Sequence, residues 1–264
     1  MDAREACLRC LDQGMDALFQ AALWIAAEHD PTLRPERALT LLERLRQRIA
    51  LNLPDLPDNE RAQPLLRLLG ALDFQEDSRG PDRVLLHRVL QQRRGQPLAL
   101  GLLALELARQ LDIPLRGINF PGRFLLRVPG ADHLLDPATG RRLYLRDCRE
   151  LLDRRYQGQV QLTSGHLQPC SPTELLQRLS RSLRHQHLKA GQLLAALKDA
   201  DRVLQLGMPT VADHLARADL YQRLDCPPGE RFDLQHALLL SEDPGERLRL
   251  TQRLFESAPP AVMH

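Results

Sequence analysis

Apolar residues recur at every third or fourth position through most of the chain, the spacing of one buried helix face rather than the alternation of a strand. The pattern predicts a helix over 3–13, then a strongly apolar one over 17–28 (ALFQAALWIAAE), stopped at Asp30-Pro31. Pro35 opens the next helix, 35–50, at the first helical position, where a missing N–H costs nothing. Leu39, Leu42, Leu45 and Ile49 give that helix its apolar stripe. The segment 51–60 (LNLPDLPDNE) breaks the pattern with two prolines. A short helix follows to about 72, then a polar loop, DFQEDSRGPD, and a helix over about 82–92 that ends at Arg93-Arg94-Gly95. Residues 96–111 form the most apolar helix, with Leu or Ala on both sides. A central, buried position is expected, with Leu98, Leu102, Leu105 and Leu107 well packed.

After Asp112-Ile113-Pro114 the texture changes to short apolar runs bounded by Pro and Gly: LRGINF, GRFLLRV and HLLDPAT. These are the convincing strand candidates, with Pro129-Gly130 as the turn between two antiparallel ones. Helix returns over 145–155, and the irregular stretch YQGQVQLTSGHLQPCSP is the best domain boundary. From residue 173 onward everything reads as helix, broken at 207–209, 226–229 and 243–245. The fold class expected is α+β, predominantly helical. The expected domains are 1–158, with a core at about 81–145, and 172–264.

Composition narrows the classes further. Of 264 residues 58 are leucine, and aromatics are only 4%, with one tryptophan, Trp24, which agrees with a helical chain. Lys+Arg is 36 against Asp+Glu 34, a net charge of +2, far below what a dedicated nucleic-acid binder carries. The N-terminus MDAREACLRC lacks the apolar core of a signal peptide, and the run 98–107 is too short to span a bilayer. The five cysteines (Cys7, Cys10, Cys148, Cys170 and Cys226) are scattered, and a cytoplasmic protein with reduced thiols is expected. Cys7 and Cys10 form a CxxC without a second Cys/His pair, and read as small buried thiols on one helix face rather than a zinc site.

Three blocks carry a family signal: RRGQPLAL (93–100), GINFPGRFLLRV (117–128) and LLDPATGRRL (134–143). In this order and spacing they resemble the bacterial SirB-type family, in which a transglutaminase-like N-terminal region joins a tetratricopeptide-like C-terminal region. The resemblance spans roughly 20–245 and is strongest over 81–143. Pro81, Leu86, Val89, Leu90 and Gly95 fall where the family has those residue types, whereas Arg83-Val84 stands where members commonly have Asn-Ser.

The fold implied is a papain/transglutaminase-like core, one central helix against a small antiparallel sheet. In active members a Cys begins that helix, where the helix N-terminus favours the thiolate. A His on a following strand acts as base and an Asp on the next orients it. Carried over, the Cys position falls on or next to Pro97, the His position on Arg123, and the Asp position on Asp136, which is retained. Pro97 offers no nucleophile, and its fixed φ suits a first helical turn. Arg123 stays protonated and cannot act as a base. The two remaining members are expected to form a direct ion pair on adjacent antiparallel strands, leaving no catalytic residue. His133 precedes Asp136 by three, so on a strand the two face opposite sides.

The C-terminal region resembles tetratricopeptide repeats. A frame from Gln177 puts Leu183, Gly191, Ala196 and Val203 at repeat positions; a second, degenerate unit carries Ala218 and Tyr221, with Pro227-Pro228 in the turn and Glu230 for the packing alanine. Arg181, Arg184, Lys189 and Tyr221 are the candidate partner-binding residues. The Arg-rich stretch 141–155 is interleaved with Asp147, Glu150 and Asp153 and reads as a solvated helix with internal pairs. His185 and His187, with His166 upstream, read as surface histidines rather than metal ligands, and no cofactor motif occurs.

The reading with most support is a non-catalytic protein that binds another protein, without nucleic acid, membrane, metal or cofactor. Its alternatives are a cysteine-dependent amidase or acyltransferase with a relocated nucleophile, and a peptide or small-molecule sensor using the old cleft.

Overall fold

The computed structural model describes residues 2–257 and divides the chain into two compact units, 1–179 and 180–264. The first unit opens with α1 (Ala3–Leu11), α2 (Leu18–Ala27), α3 (Pro35–Ala50) and α4 (Ala62–Ala71). Asp2 caps α1 by accepting from the Arg4 N–H, and Cys7 and Cys10 are buried on its inner face. In α3 Leu42 and Ile49 of the expected stripe are buried and Leu45 is half-buried, whereas Leu39 is partly exposed and Ala38 takes the inward place in that turn.

Next come α5 (Leu86–Gln92) and α6 (Pro97–Gln110). Helix α5 begins later than expected, because Pro81–Arg83 forms a 3-10 turn of its own. Two short strands that periodicity misses, β1 (Gln75–Glu76) and β2 (Arg94–Gly95), pair in parallel just before α6. Arg93 turns the chain out of α5 in a left-handed conformation. A Cβ on Gly95 would lie 2.9 Å from the Val89 side chain, so the turn needs glycine there.

Helix α6 is the apolar centre of this unit: every residue from Leu98 to Ala108 is buried, Leu102 and Leu107 almost completely. It packs on α2, α4 and α5 and on a four-stranded antiparallel sheet ordered β3 (Arg116–Ile118), β4 (Leu125–Arg127), β5 (Leu134–Leu135) and β6 (Arg142–Leu143). The three strand runs read from the sequence are β3, β4 and β5, and β6 closes the sheet. Two Pro-Gly turns connect them. Gly122, at φ +75°, follows Pro121, and Gly130, at φ +81°, follows Pro129, the arrangement of a type II turn. Helix α7 (Leu145–Tyr156) covers the other sheet face, where Ile118, Phe120, Leu125, Leu134, Cys148 and Leu152 form a cluster. Its exposed side carries the pairs Arg146–Glu150 and Arg154–Glu150.

Helix α8 (Pro172–Lys189) runs across the division between the units. The second unit continues as α9 (Leu193–Leu206), α10 (Val211–Arg223), α11 (Pro227–Leu240) and α12 (Pro244–Glu256). Leu183, Ala196, Val203 and Ala218 are all buried, and Gly191 takes φ +72° in the α8–α9 turn. Glu230 is buried as an ion-pair partner of Arg253 at 2.9 Å rather than as a packing residue. No described helix is long and apolar enough to cross a membrane.

Candidate functional site

The Pro121-Gly122 turn hands Arg123 to the chain just before β4, and Asp136 follows β5 directly. Both side chains therefore flank paired antiparallel strands at one sheet end rather than lying within them. Arg123 donates to Asp136 Oδ2 from Nε at 2.9 Å and from Nη2 at 2.5 Å, so both contacts fall on one carboxylate oxygen. The second oxygen, Oδ1, is occupied by the chain's own turn: the N–H groups of Ala138 and Thr139 and the Thr139 hydroxyl each lie 3.0 Å away. Asp136 thus caps the DPAT turn with one oxygen and holds arginine with the other. Its side chain is 8% exposed and that of Arg123 31%.

A third charged group joins them. Glu76 of β1 accepts from Arg123 Nη2 at 3.0 Å. Glu76 is the register partner of Gly95, two residues before Pro97. Gly101, one turn further along α6, lies against both Phe124 and Pro137, the neighbours of Arg123 and Asp136. These contacts set the Glu76–Arg123–Asp136 triangle beside the start of α6. Burial opposes the Arg123 charge, but Asp136 and Glu76 outweigh it and hold the guanidinium above its ordinary pKa. The sequence carries no signal for Glu76, which lies 47 residues from Arg123 in a polar loop.

Pro97 occupies the first turn of α6. His133 packs against Tyr144 with ring centroids 5.7 Å apart and meets Asp132 rather than Asp136. His133 and Cys148 line one small crevice of about 30 Å3, but no hydrogen bond joins them. Burial, aided by Asp147, pushes the Cys148 thiol up. A separate cavity of about 410 Å3 in the first unit includes none of Pro97, Arg123 or Asp136.

Of the four candidate partner-binding residues of the second unit, Arg181 and Tyr221 are engaged within it. Arg181 forms a two-pronged ion pair with Asp213 at 2.8 and 2.7 Å. Arg184 is half-buried, with one amino nitrogen, Nη1, lacking a hydrogen-bond partner. Lys189 is exposed. Tyr221 fills the space over Gly229, where a Cβ would lie 2.7 Å from its ring, and carries Arg217 at 5.7 Å from its centroid. His185 is exposed, but His187 is not a surface histidine: it is buried, with Nδ1 2.6 Å from Asp199. The i, i+2 spacing puts the two on different helix faces, and only one of those faces is solvated.

Comparison with known proteins agrees with the geometry. The family described as transglutaminase-like superfamily matches residues 36–181, more than half of the chain. The UPF0162 protein PA3419 of Pseudomonas aeruginosa is 60% identical over 264 residues, covering 98% of both chains. A UPF0162 protein of Xylella fastidiosa is 31% identical over 88% of this chain and 87% of its own. Protein SirB1 of Salmonella typhimurium is 27% identical over 69% of this chain and 70% of its own. No solved structure matches the chain. With an α6 buried from Leu98 to Ala108 among helices and an antiparallel sheet, and with these relatives aligned along most of its length, the chain belongs to the UPF0162/SirB1 family, whose core domain is transglutaminase-like.

Proposed function

We propose that this is a non-catalytic interaction protein of the cytoplasm: the transglutaminase-like slot serves as a structural ion pair, and tetratricopeptide-like C-terminal helices bind another protein. The observation that carries the reading is the Arg123–Asp136 pair, tied also to Glu76, at the start of a helix whose first residue is Pro97. A permanently charged guanidinium takes no proton from a nucleophile, and proline provides no nucleophile. The buried repeat-frame positions Leu183, Ala196, Val203 and Ala218 support the repeat assignment. Phe232 and Leu239, 51% and 80% exposed on α11, supply apolar surface of the kind a protein partner covers.

The cysteine-enzyme alternative needs a thiol and an imidazole within hydrogen-bond reach, and Cys148 with His133 lacks that bond. The test uses the full chain with a glutamine peptide and a primary amine. The proposal expects neither ammonia release nor acyl transfer, in wild type and Cys148→Ala alike. Turnover abolished by Cys148→Ala overturns it. A partner cross-linked in the native cells is expected to be lost with Phe232→Glu or Leu239→Glu and kept with Arg123→Ala; the reverse pattern would assign binding to the old slot.

A further inference from the structure

Helices α3 and α5 and the chain between α4 and β1 border a crevice of about 230 Å3 in the first unit. Its floor is apolar: Phe74 and Leu90 are buried, and Leu45 and Leu72 are half-buried. Its rim is cationic, with Arg44 and Arg48 from α3 and Arg93 from the end of α5, and no acidic residue lines it. Leu41, Arg44, Leu45 and Arg48 fall at i, i+3, i+4 and i+7, which is one face of α3. Both α3 guanidiniums therefore stand on the side of the helix that borders the crevice.

None of the three arginines has an ion-pair partner among the described residues. Arg93 donates to the Leu72 carbonyl at 3.1 Å, which keeps it at the rim. The acids close by in sequence are engaged elsewhere. Glu43 accepts from Arg46 at 2.6 Å and Gln47 at 2.8 Å on the other flank of α3. Asp73, beside Phe74, accepts from Arg94 at 3.1 Å. Arg44 and Arg48 are one helical turn apart, where like charges disfavour the helix, and an anion at the rim relieves that repulsion.

Size and relief select the occupant. The crevice is smaller than the roughly 300 Å3 at which small-molecule sites begin, and suits one leucine- or phenylalanine-sized side chain. Its apolar groups are recessed and its charges surround the mouth, so the complementary object is a protruding apolar side chain flanked by acids. A membrane surface needs the opposite relief, apolar residues that project from the protein. We infer that this crevice docks an acidic segment of a partner protein, with one large apolar side chain on Phe74 and Leu90 and flanking Asp or Glu carboxylates on Arg44, Arg48 and Arg93. This surface lies in the first unit and goes beyond the binding proposed for the C-terminal helices; either can fail without the other.

The experiment is isothermal titration calorimetry of the full chain with an acetylated and amidated peptide, a phenylalanine with a pair of aspartates on each side. Binding is expected, and is expected to weaken as salt rises. Replacing the peptide's phenylalanine by alanine is expected to weaken it about tenfold. Arg44→Gln and Arg48→Gln are each expected to weaken it about fivefold. Arg46→Gln, the same change of charge on the other flank of α3, is expected to leave it unchanged. Four outcomes overturn the inference: no peptide binding, equal affinity for the alanine peptide, equal losses with Arg46→Gln and Arg48→Gln, or binding to phosphatidylserine vesicles without binding to the peptide.

Discussion

Phe124 rests directly on the backbone of Gly101: a methyl group on that glycine would lie 2.3 Å from the ring Cε1. On the ring's other side Gly117 is as restricted, at 2.7 Å, and Pro137 lies 3.6 Å from the same Gly101 position. One glycine, a turn into α6, therefore seats the chain neighbours of both Arg123 and Asp136. Gly101→Ala gains about 1 kcal/mol of helix propensity but must push back a fully buried ring. The net expected from urea unfolding is a loss of about 1–3 kcal/mol. A neutral or stabilised variant would remove this contact from the account.

The two partners of the ion pair are expected to be unequal. Arg123 is partly solvated and bonds one oxygen of Asp136, whereas Asp136 also holds the 138–139 turn. Arg123→Ala is expected to cost about 1–2 kcal/mol, between the values for exposed and buried pairs. Asp136→Ala is expected to cost about 1 kcal/mol more, the loss of a capping interaction. Equal costs in urea titrations would contradict the double role of the aspartate.

Much of this was legible in the sequence, for reasons that are local. Pro35 and Pro97 mark helix starts, the Pro-Gly pairs at 121–122 and 129–130 mark turns, and the unbroken apolar run of 98–105 marks the central helix. The three family blocks single out Arg123 and Asp136, which the fold brings into contact. Glu76 was not legible, because its contact depends on a two-residue parallel pairing with Arg94-Gly95, too short to show a period. The burial of His187 and the Arg253 partner of Glu230 are illegible for a related reason: each pairing, His187 with Asp199 and Glu230 with Arg253, is made through tertiary structure. Their sequence neighbours give no sign of it.

The central helix sets a second stability expectation. Leu102 is 1% exposed. Leu102→Ala is expected to cost about 2–5 kcal/mol, the range for a buried leucine truncated without collapse of the site. An unchanged melting temperature would mean that α6 is not the core.

His87 gives a pH dependence. The ring is buried; Nε2 lies 3.2 Å from Asp30, while Nδ1 is buried without a hydrogen-bond partner. Burial lowers its pKa, opposed by Asp30 and reinforced by Arg88. Because the folded pKa lies below the ordinary value of about 6.5, the unfolded chain binds the proton more readily. The stability His87 contributes is thus present above that value and lost as pH falls below it. His87→Gln, which keeps a donor towards Asp30, is expected to lose less unfolding free energy than wild type between about pH 7.5 and about pH 5.5. An equal or larger loss in the variant would contradict the assignment.

Arg123 and Asp136 are expected to be coupled to each other rather than to serve separate ends. A double-mutant cycle measures this: urea unfolding of wild type, Arg123→Ala, Asp136→Ala and the double variant. The expected coupling energy is about 1–2 kcal/mol, with the double variant less destabilised than the sum of the two single ones. Strictly additive costs would contradict a structural ion pair between the two residues and free Arg123 for another role.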